Sequence, residues 1–162
     1  MSRLPVGHTS IFTGKSRKDG LQLNVEYEDH LVFADMNIPN GFQGLSNMVH
    51  GGFLFGILDT LIWYVIIMET RKITMTRKTD MDFLKPVRCN TPYRALAKLE
   101  RVEDRDIWAT AWIEDNDKEC HCRLTGLFRE GKIINHARLF SHLDYSDVTP
   151  EIKDFFVSLG KK

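Results

Sequence analysis

The segment HGGFLFGILDTLIWYVIIME, residues 50–69, decides the fold. It is too long for a strand and apolar on nearly every side, which is typical of a helix buried in a core. Two of its features do not suit a plain core helix. It begins with Gly51 and Gly52, although glycine is a poor helix former, and it carries Asp59, a carboxylate that is costly among apolar side chains unless it is paired. Together these features predict a functional site on the helix.

The same segment is long enough to be compared with a membrane span. Its apolar run, residues 53–68, is 16 residues long, contains Asp59 and is followed by Glu69, Arg71 and Lys72. A membrane-spanning helix usually needs about 20 apolar residues. We therefore expect a buried core helix and no membrane span.

Length and charge limit the class of protein. The chain has 162 residues, enough for one domain with a real core. Its 22 basic and 22 acidic residues give a formal net charge of zero, so it lacks the broad basic field of a nucleic-acid-binding protein. Three cysteines are too few for a disulfide framework, and residues 1–10 lack an apolar signal region. We expect a cytoplasmic protein.

Alternating apolar and polar residues predict strands on both sides of the helix. Two strands are predicted before it, at 21–27 and 31–36, and four after it, at 73–84, 93–103, 107–115 and 120–128. In the strand at 73–84 the alternation places Ile73, Met75, Met81 and Phe83 on one face and Thr74 and Thr76 on the other. Residues 37–47 are rich in turn formers, and residues 149–159 are predicted to form a short amphipathic helix.

Consecutive strands with short turns favour an antiparallel sheet, and one apolar face of that sheet needs a cover. The long apolar helix can provide it, and the small side chains of Ala109 and Ala111 allow it to approach closely. The predicted fold is α+β, an antiparallel sheet wrapped around a long central helix. We predict a loosely ordered lead-in at 1–20 and a single domain at 21–162, with its core at 21–130 and a short helix at 148–159.

The start of the helix can bind a developing negative charge. The first N–H groups of a helix have no intrahelical partner and carry partial positive charge. Because Gly51 and Gly52 lack side chains, a ligand atom can approach their backbone closely, as a carbonyl oxygen does in an oxyanion hole. Asp59 can then serve as a general base toward water or as a nucleophile.

The spacing of these two groups predicts a dimer. Gly51 and Asp59 are eight positions apart, which is about 12 Å along a helix. A general base acts within about 3 Å of its proton, directly or through one water. One helix therefore cannot easily bring both groups to one carbonyl, whereas two antiparallel helices that meet across a two-fold axis can. We predict a homodimer with two sites.

Strand geometry bears on two further patterns, a pair of tryptophans and a Cys-His-Cys motif. Trp108 and Trp112 share one face of a strand, which fits either a subunit interface or packing beneath the C-terminal tail. In Cys120-His121-Cys122 the histidine of a regular strand points away from both cysteines. Because zinc usually needs four ligands, we predict no metal site.

Three motifs resemble one known family. The residues V-H-G-G at 49–52, L-D-T at 58–60 and M-D-F-L-K-P-V at 81–87 resemble the hotdog-fold acyl-CoA thioesterases of the phenylacetyl-CoA thioesterase type. That family combines HGG, a carboxylate after six or seven further residues, and a strand ending near F-L-x-P, and the resemblance covers about residues 40–130. It implies the hotdog fold, a homodimer that often pairs again into a tetramer, and hydrolysis of an acyl-CoA without metal or redox cofactor.

The resemblance also implies roles for matching residues. The Gly51 N–H polarises the thioester carbonyl, and Asp59 of the partner subunit is the base or the nucleophile. His50 shapes the start of the helix and is a further catalytic candidate. Thr76 matches a serine or threonine that relatives often place on the strand after the helix, although the alternation puts it in the polar register.

The polar residue that many relatives carry six positions before the histidine is missing, because that position is Gly44. The nearest asparagine is Asn47, and Gln43 offers another polar group, so both are candidates for the site. Gly52 is a further candidate for substrate binding.

Residues 71–88 are locally basic, and the phosphates of CoA need cationic partners. Lys85 and Arg88 are the candidates, with a solvated strand surface as the alternative for either. The bulky helix residues Phe53, Phe55 and Trp63 are expected to reshape the acyl pocket.

Three functions fit these observations. The first is an acyl-CoA thioesterase, favoured by the HGG context. The second is a hotdog protein that binds acyl-CoA or another acyl ligand without catalysis. The third is a hotdog hydratase or dehydratase that pairs a histidine, here His50, with Asp59. Release of free CoA distinguishes the first from the other two.

Overall fold

The computed structural model describes residues 1–131 and 136–161. The strands are β1 (Ser2–Arg3), β2 (Val6–Gly7), β3 (Glu26–Glu28), β4 (Leu31–Asn37), β5 (Thr74–Phe83), β6 (Pro92–Glu103), β7 (Asp106–Glu114), β8 (Cys120–Glu130) and β9 (Leu143–Asp144). The helices are α1 (Gly51–Thr70), α2 (His136–Ser141) and α3 (Pro150–Leu159). A single 3-10 turn at Asn40–Phe42 precedes α1.

Seven strands form one sheet in the order β1-β3-β4-β6-β7-β8-β5, and β2 pairs separately with β9. All the pairs are antiparallel. Helix α1 packs across β4, β5, β6, β7 and β8. The predicted α+β architecture, an antiparallel sheet with a long helix against one face, is therefore confirmed.

Small residues on the central strands allow α1 to lie close to the sheet. Ala95, Ala97 and Ala111 have no exposed surface, and neither do Leu58 and Ile62 on the helix. Fully burying a leucine or isoleucine stabilises a fold by about 1.5–3 kcal/mol. Helix α1 has the length and apolarity of a membrane span, yet half of its most apolar window is buried inside the protein, as expected for a core helix.

The N-terminal residues differ from the prediction. Residues 1–20 are not loosely ordered, because Leu4 and Val6 are buried in the core and β1 and β2 both pair with other strands. The predicted strand at 21–27 is wrong except at its end, since the ladder begins at Glu26. Gln22 has a left-handed φ of 50°, which interrupts an extended strand, and the Leu23 N–H donates to the Phe12 carbonyl instead.

A β-bulge changes the predicted faces of β5. The pairing with β8 shifts register between Thr76 and Lys78, so that Arg77 is an extra residue. Before the bulge Thr74 is buried and Met75 is 65% exposed. The expectation that Met75 shares the inner face is therefore wrong, because strict alternation does not continue through a bulge.

The tail helix α3 does not cover the two tryptophans of β7. It packs at the C-terminal end of α1, where the Arg71 guanidinium lies 4.7 Å from the Phe155 ring and donates to Ser158. Trp108 is instead covered by the Arg101 guanidinium, 3.8 Å from its ring. Packing beneath the tail is therefore wrong, and the subunit interface stays a prediction.

Phe12 packs the N-terminal segment on α1 at a glycine, Gly56. The effect of Gly56→Ala on the free energy of unfolding is therefore expected to change sign when Phe12 is removed. A Cβ at Gly56 would lie 2.1 Å from the Phe12 ring. Gly56→Ala is therefore expected to destabilise the protein by about 1 kcal/mol, since overpacking costs about 1–3 and helix propensity returns up to about 1. In a Phe12→Ala background the same change should be stabilising. Urea unfolding of the four chains measures both effects, and destabilisation in both backgrounds would contradict the contact.

Candidate functional site

The first turn of α1 leaves one backbone amide without a partner. His50 caps the helix, and its Nδ1 accepts a hydrogen bond of 2.9 Å from the Gly52 N–H. Within the two described stretches of chain, the Gly51 N–H has no hydrogen-bond acceptor. His50 thus has a structural task that orients this turn, and it occupies the amide of Gly52 while leaving that of Gly51 available.

Close contacts explain why small residues surround this amide. A Cβ at Gly51 would lie 3.0 Å from the Phe83 ring, and a Cβ at Gly44 would lie 3.0 Å from the His50 ring. Phe83 therefore forms a wall beside the Gly51 amide. A larger residue at position 44 would displace the capping histidine, which gives a physical reason for the glycine at this position.

A cavity of about 560 Å³ lies at this end of the helix. Its lining is mostly apolar and includes Leu54, Val87 and the three exposed side chains Leu45, Phe83 and Leu84. Lys85 also lines it. Exposed apolar side chains in one patch usually indicate a ligand or a partner surface.

The turn before the helix uses two of the candidate polar residues internally. The Gln43 Oε1 accepts a hydrogen bond of 3.2 Å from the Asn47 N–H. Asn47 has a left-handed φ of 58°, a conformation that asparagine tolerates better than most residues. Both residues therefore help to shape the turn that presents His50, and contact of either with a substrate stays a prediction.

Asp59 lies two turns further along α1, and Thr76 is its partner. The Thr76 hydroxyl donates a hydrogen bond of 2.7 Å to the Asp59 carboxylate. The bulge at Arg77 lets both Thr74 and Thr76 face the helix, which the alternation alone did not indicate. Asp59 is half-buried, as are Phe55 and Trp63 one turn away on either side.

A second cavity, of about 340 Å³, lies beside Asp59. Its walls include Trp63, Phe128 and Leu143, together with Ser10 and Thr13 of the N-terminal segment. Thr74 also lines it, and the Thr74 hydroxyl is buried without a hydrogen-bond partner in the described structure.

The two cavities share no lining residue. The Gly51 amide borders the larger cavity, and the Asp59 carboxylate borders the smaller one. One chain therefore contains two separate half-sites, which agrees with the spacing of about 12 Å that eight helical positions impose.

Two of the candidate CoA ligands differ in their contacts. The Lys85 ammonium forms an ion pair with Glu119 beside the larger cavity. Arg88 is exposed next to Val87, and its guanidinium has no ion pair with the described residues. Arg88 is therefore the less constrained cation of the two.

His121 holds the loop that follows β5. Its Nδ1 lies 2.9 Å from the Pro86 carbonyl oxygen and its Nε2 lies 3.1 Å from the Asp115 carboxylate. Hydrogen bonds from the Glu119 N–H and from His121 lower the pKa of Asp115 below its usual value. The contacts of His121 with Pro86 fix one side of the larger cavity.

The Cys-His-Cys motif does not act as a unit. The ligand atoms of His121 lie near those of Asp115 and Glu119, within 4.8 Å of one another, and not near the thiols. Glu119 is already paired with Lys85, and Asp115 already accepts two backbone N–H groups. Burial raises the pKa of Cys122 to about 12, so that this thiol is not an activated nucleophile.

Sequence reasoning missed three contributors to these half-sites. The alternation predicts a face for Phe83 but not its contact with Gly51, it predicts the polar face for Thr74, and the lead-in predicted at 1–20 leaves Ser10 away from the site. The F-L-x-P motif was the available signal for Phe83. The other two depend on a bulge and on an irregular segment, which leave little trace in the sequence.

Part of the chain matches a known family model and one curated protein. Residues 46–117 match the family model described as the thioesterase superfamily. Among curated proteins, an uncharacterized protein of Schizosaccharomyces pombe (strain 972) is 29% identical over 68 residues. That alignment covers 41% of this chain and 39% of the relative, so the chain spans well under half of that relative's length.

Solved structures show the same fold. A thioesterase superfamily protein aligns with a TM-score of 0.70 and 24% identity, covering 75% of this chain and 60% of its own. The PaaI protein of E. coli, from the phenylacetic acid degradation operon, aligns with a TM-score of 0.63 and 16% identity over 68% of this chain and 80% of its own.

A Streptococcus mutans protein solved with bound acetyl CoA has a TM-score of 0.62 and 12% identity, over 67% of this chain and 88% of its own. Together with the alignments above, this likeness identifies the architecture of the present chain as the hotdog fold.

Proposed function

We propose that this chain is an acyl-CoA thioesterase whose site forms between two copies, since residues 46–117 match the family model of the thioesterase superfamily. The observation that supports this proposal is the pair of half-sites on α1. One presents the unpartnered Gly51 amide, and the other presents the Asp59 carboxylate with its Thr76 hydrogen bond. Each half-site lacks what the other supplies.

The open edge of β5 suggests how the two copies meet. This ten-residue strand ends the sheet and carries the exposed side chains Met75 and Phe83. Long exposed apolar edges tend to pair with another chain. An antiparallel pair of β5 strands with its two-fold axis between Thr79 and Asp80 places Thr76 opposite Phe83 of the partner subunit. It thereby brings Asp59 next to Gly51 of the partner subunit.

The chemistry follows from the two groups. The thioester carbonyl oxygen accepts a hydrogen bond from the Gly51 N–H, which polarises the carbonyl carbon. Asp59 of the partner subunit removes a proton from water, and the oxygen of that water adds to the carbonyl carbon. The tetrahedral intermediate then releases CoA as the thiolate, which takes up a proton, and leaves the free carboxylic acid. Direct attack by Asp59 through an anhydride gives the same products after hydrolysis.

Panels of acyl-CoAs test this function. The purified chain is expected to release free CoA, measured with a thiol reagent, from at least one acyl-CoA, and to behave as a dimer or tetramer in light scattering. Binding of acyl-CoA without thiol release would indicate a non-catalytic binding protein. Hydration of an enoyl-CoA without thiol release would indicate a hydratase.

The partner of the carboxylate gives a further prediction. Thr76→Val keeps the size of the side chain but removes its hydrogen bond to Asp59. A hydrogen bond to a charged group contributes about 1.5–3 kcal/mol, and losing part of it should lower kcat about tenfold, since each 1.36 kcal/mol is a factor of ten. Steady-state kinetics measures this effect. Thr125→Val, at an exposed position on the neighbouring strand β8, is the matched control, and equal kcat values for both variants would contradict the role of Thr76.

A further inference from the structure

The cavity beside Asp59 contains a polar group that the protein itself does not satisfy. Thr74 is 4% exposed, and its hydroxyl has no hydrogen-bond partner among the described residues. Most buried polar groups do have a partner, because leaving one unpaired is costly. Thr74 is one of the residues that line the same cavity as Asp59.

The other hydroxyls around this cavity already have partners. The Thr60 hydroxyl donates to the Gly56 carbonyl, the Thr76 hydroxyl donates to Asp59, and the Ser10 oxygen accepts from two backbone N–H groups. Burial raises the pKa of Tyr64, whose hydroxyl has Thr13 as a partner. Among the described hydroxyls around this cavity, that of Thr74 is therefore the one that lacks a hydrogen-bond partner and can bond to a ligand.

The charges indicate which part of an acyl-CoA enters this cavity. Lys85 and Arg88 lie at the Gly51 end, where they suit the phosphates of CoA. The cavity beside Asp59 has no lysine, arginine or histidine among its described lining residues. The CoA arm of a substrate that spans the two half-sites would leave past the cations, so the acyl group would enter the cavity beside Asp59.

The size and charge of the cavity restrict the acyl group. Its volume of about 340 Å³ is near the lower end of ligand pockets, about 300–1,000 Å³. Gly7 and Leu143, which line it, belong to the paired strands β2 and β9. An acyl group with a second carboxylate would face Asp59 without a compensating cation.

We propose, given the thioesterase function above, that this cavity selects a short, uncharged acyl group that carries a hydrogen-bonding oxygen, with the Thr74 hydroxyl as its partner. The apolar walls formed by Phe128 and Leu143 hold the carbon skeleton. The N-terminal segment, fixed to α1 by Phe12, sets the limit on length.

Matched ligands test this proposal. Butyryl-CoA is compared with the 2-, 3- and 4-hydroxybutyryl-CoAs and with palmitoyl-CoA, by kcat/KM on the parent chain and by calorimetric Kd on the Asp59→Asn variant. At least one hydroxylated ligand is expected to have a kcat/KM about fivefold higher and a Kd about fivefold lower than butyryl-CoA, since one hydrogen bond contributes about 1 kcal/mol. A preference for butyryl-CoA over every hydroxylated ligand, or for palmitoyl-CoA over all of them, would overturn the proposal.

Variants of two threonines assign the effect to one hydroxyl. Thr74→Val should abolish the preference for the hydroxylated ligand, and Thr74→Ser should keep it. Thr60→Val is the matched control in the same cavity and should keep it too, because the Thr60 hydroxyl is already bonded to the helix. If Thr74→Val keeps the preference, Thr74 is not the selecting group.

The stability of the free protein gives an independent readout. Because the Thr74 hydroxyl is unpaired in the described structure, Thr74→Val should raise the Tm of the ligand-free protein while it weakens selection. A lowered Tm would mean that the hydroxyl has a partner within the protein and would contradict the proposal. Absence of thiol release from every ligand would refute the thioesterase function, whereas the Kd ratios would still decide whether Thr74 selects the acyl group.

Discussion

Asp59→Asn is expected to lower kcat for thioester hydrolysis about 10²–10⁴-fold, the range that a positioned general base contributes. The carboxamide has nearly the same shape as the carboxylate, and its oxygen can still accept the hydrogen bond from Thr76. It cannot take up a proton from water or attack the thioester as an anion. Because binding groups are unchanged, KM should stay within a few-fold of the parent value. Thiol release under saturating acyl-CoA measures the effect.

A distant carboxylate provides the control for this substitution. Asp154 is exposed on α3, so Asp154→Asn makes the same chemical change away from both half-sites. It should leave kcat unchanged, and both variants should keep the Tm and the oligomeric state of the parent. A tenfold loss of kcat corresponds to only about 1.36 kcal/mol of activation free energy. If Asp59→Asn retains more than a tenth of the parent kcat, Asp59 is therefore neither the base nor the nucleophile.

The central helix, the strands after it and the separation of the two half-sites could be read from the sequence, because each depends on simple periodicity. A 20-residue apolar segment with a glycine start permits few structures other than a core helix. Eight positions between Gly51 and Asp59 fix their separation as soon as the helix is accepted. That His50 shapes the start of the helix was implied by the family resemblance, and the structure adds the hydrogen bond that its Nδ1 accepts from the Gly52 N–H.

The features that the sequence hid are local departures from periodicity. The bulge at Arg77 inserts one residue into β5, so that a pattern with a period of two predicts the wrong face for Met75 and Thr74. Nothing in the side chains around Arg77 distinguishes a bulge from a regular strand. The left-handed conformation of Gln22 has a similar effect. Leu23 follows the alternation of a strand, but its N–H donates to the Phe12 carbonyl in an irregular segment.

The contact of Phe12 was hidden for a different reason. It depends on where the N-terminal segment lies in three dimensions, and the sequence of that segment resembles a polar loop. Its packing follows from a glycine on α1, Gly56, which admits the Phe12 ring. A glycine in a helix has many possible causes, so this partner could be recognised only in the folded structure.

Gly51→Pro is expected to lower kcat about 10²–10³-fold, the effect of removing one oxyanion-hole donor. Proline has no N–H, and it is well tolerated at the first position of a helix, which Gly51 occupies. The residue before a proline must be extended, and His50 already is, with φ −63° and ψ 132°. The helix should therefore form normally, as circular dichroism and Tm can verify, while thiol release reports the missing amide.

Gly51→Ala separates the loss of the amide from the added bulk. It places the same Cβ about 3.0 Å from the Phe83 ring but keeps the N–H, so we expect only a few-fold loss of kcat. Similar losses for alanine and proline would mean that crowding against Phe83, and not the missing donor, accounts for the effect.

Mixing the two disabled chains then tests whether each site is shared. When Gly51→Pro and Asp59→Asn chains are co-expressed and the mixed dimers form at random, about half of all dimers carry one of each, and one of their two sites combines an intact Gly51 with an intact Asp59. About a quarter of the parent activity should return, although neither variant is active alone. If each site lay within one chain, mixing could restore nothing, because every chain in the mixture lacks one of the two groups. Recovery of activity on mixing therefore requires that the amide and the carboxylate of one site come from different copies of the chain.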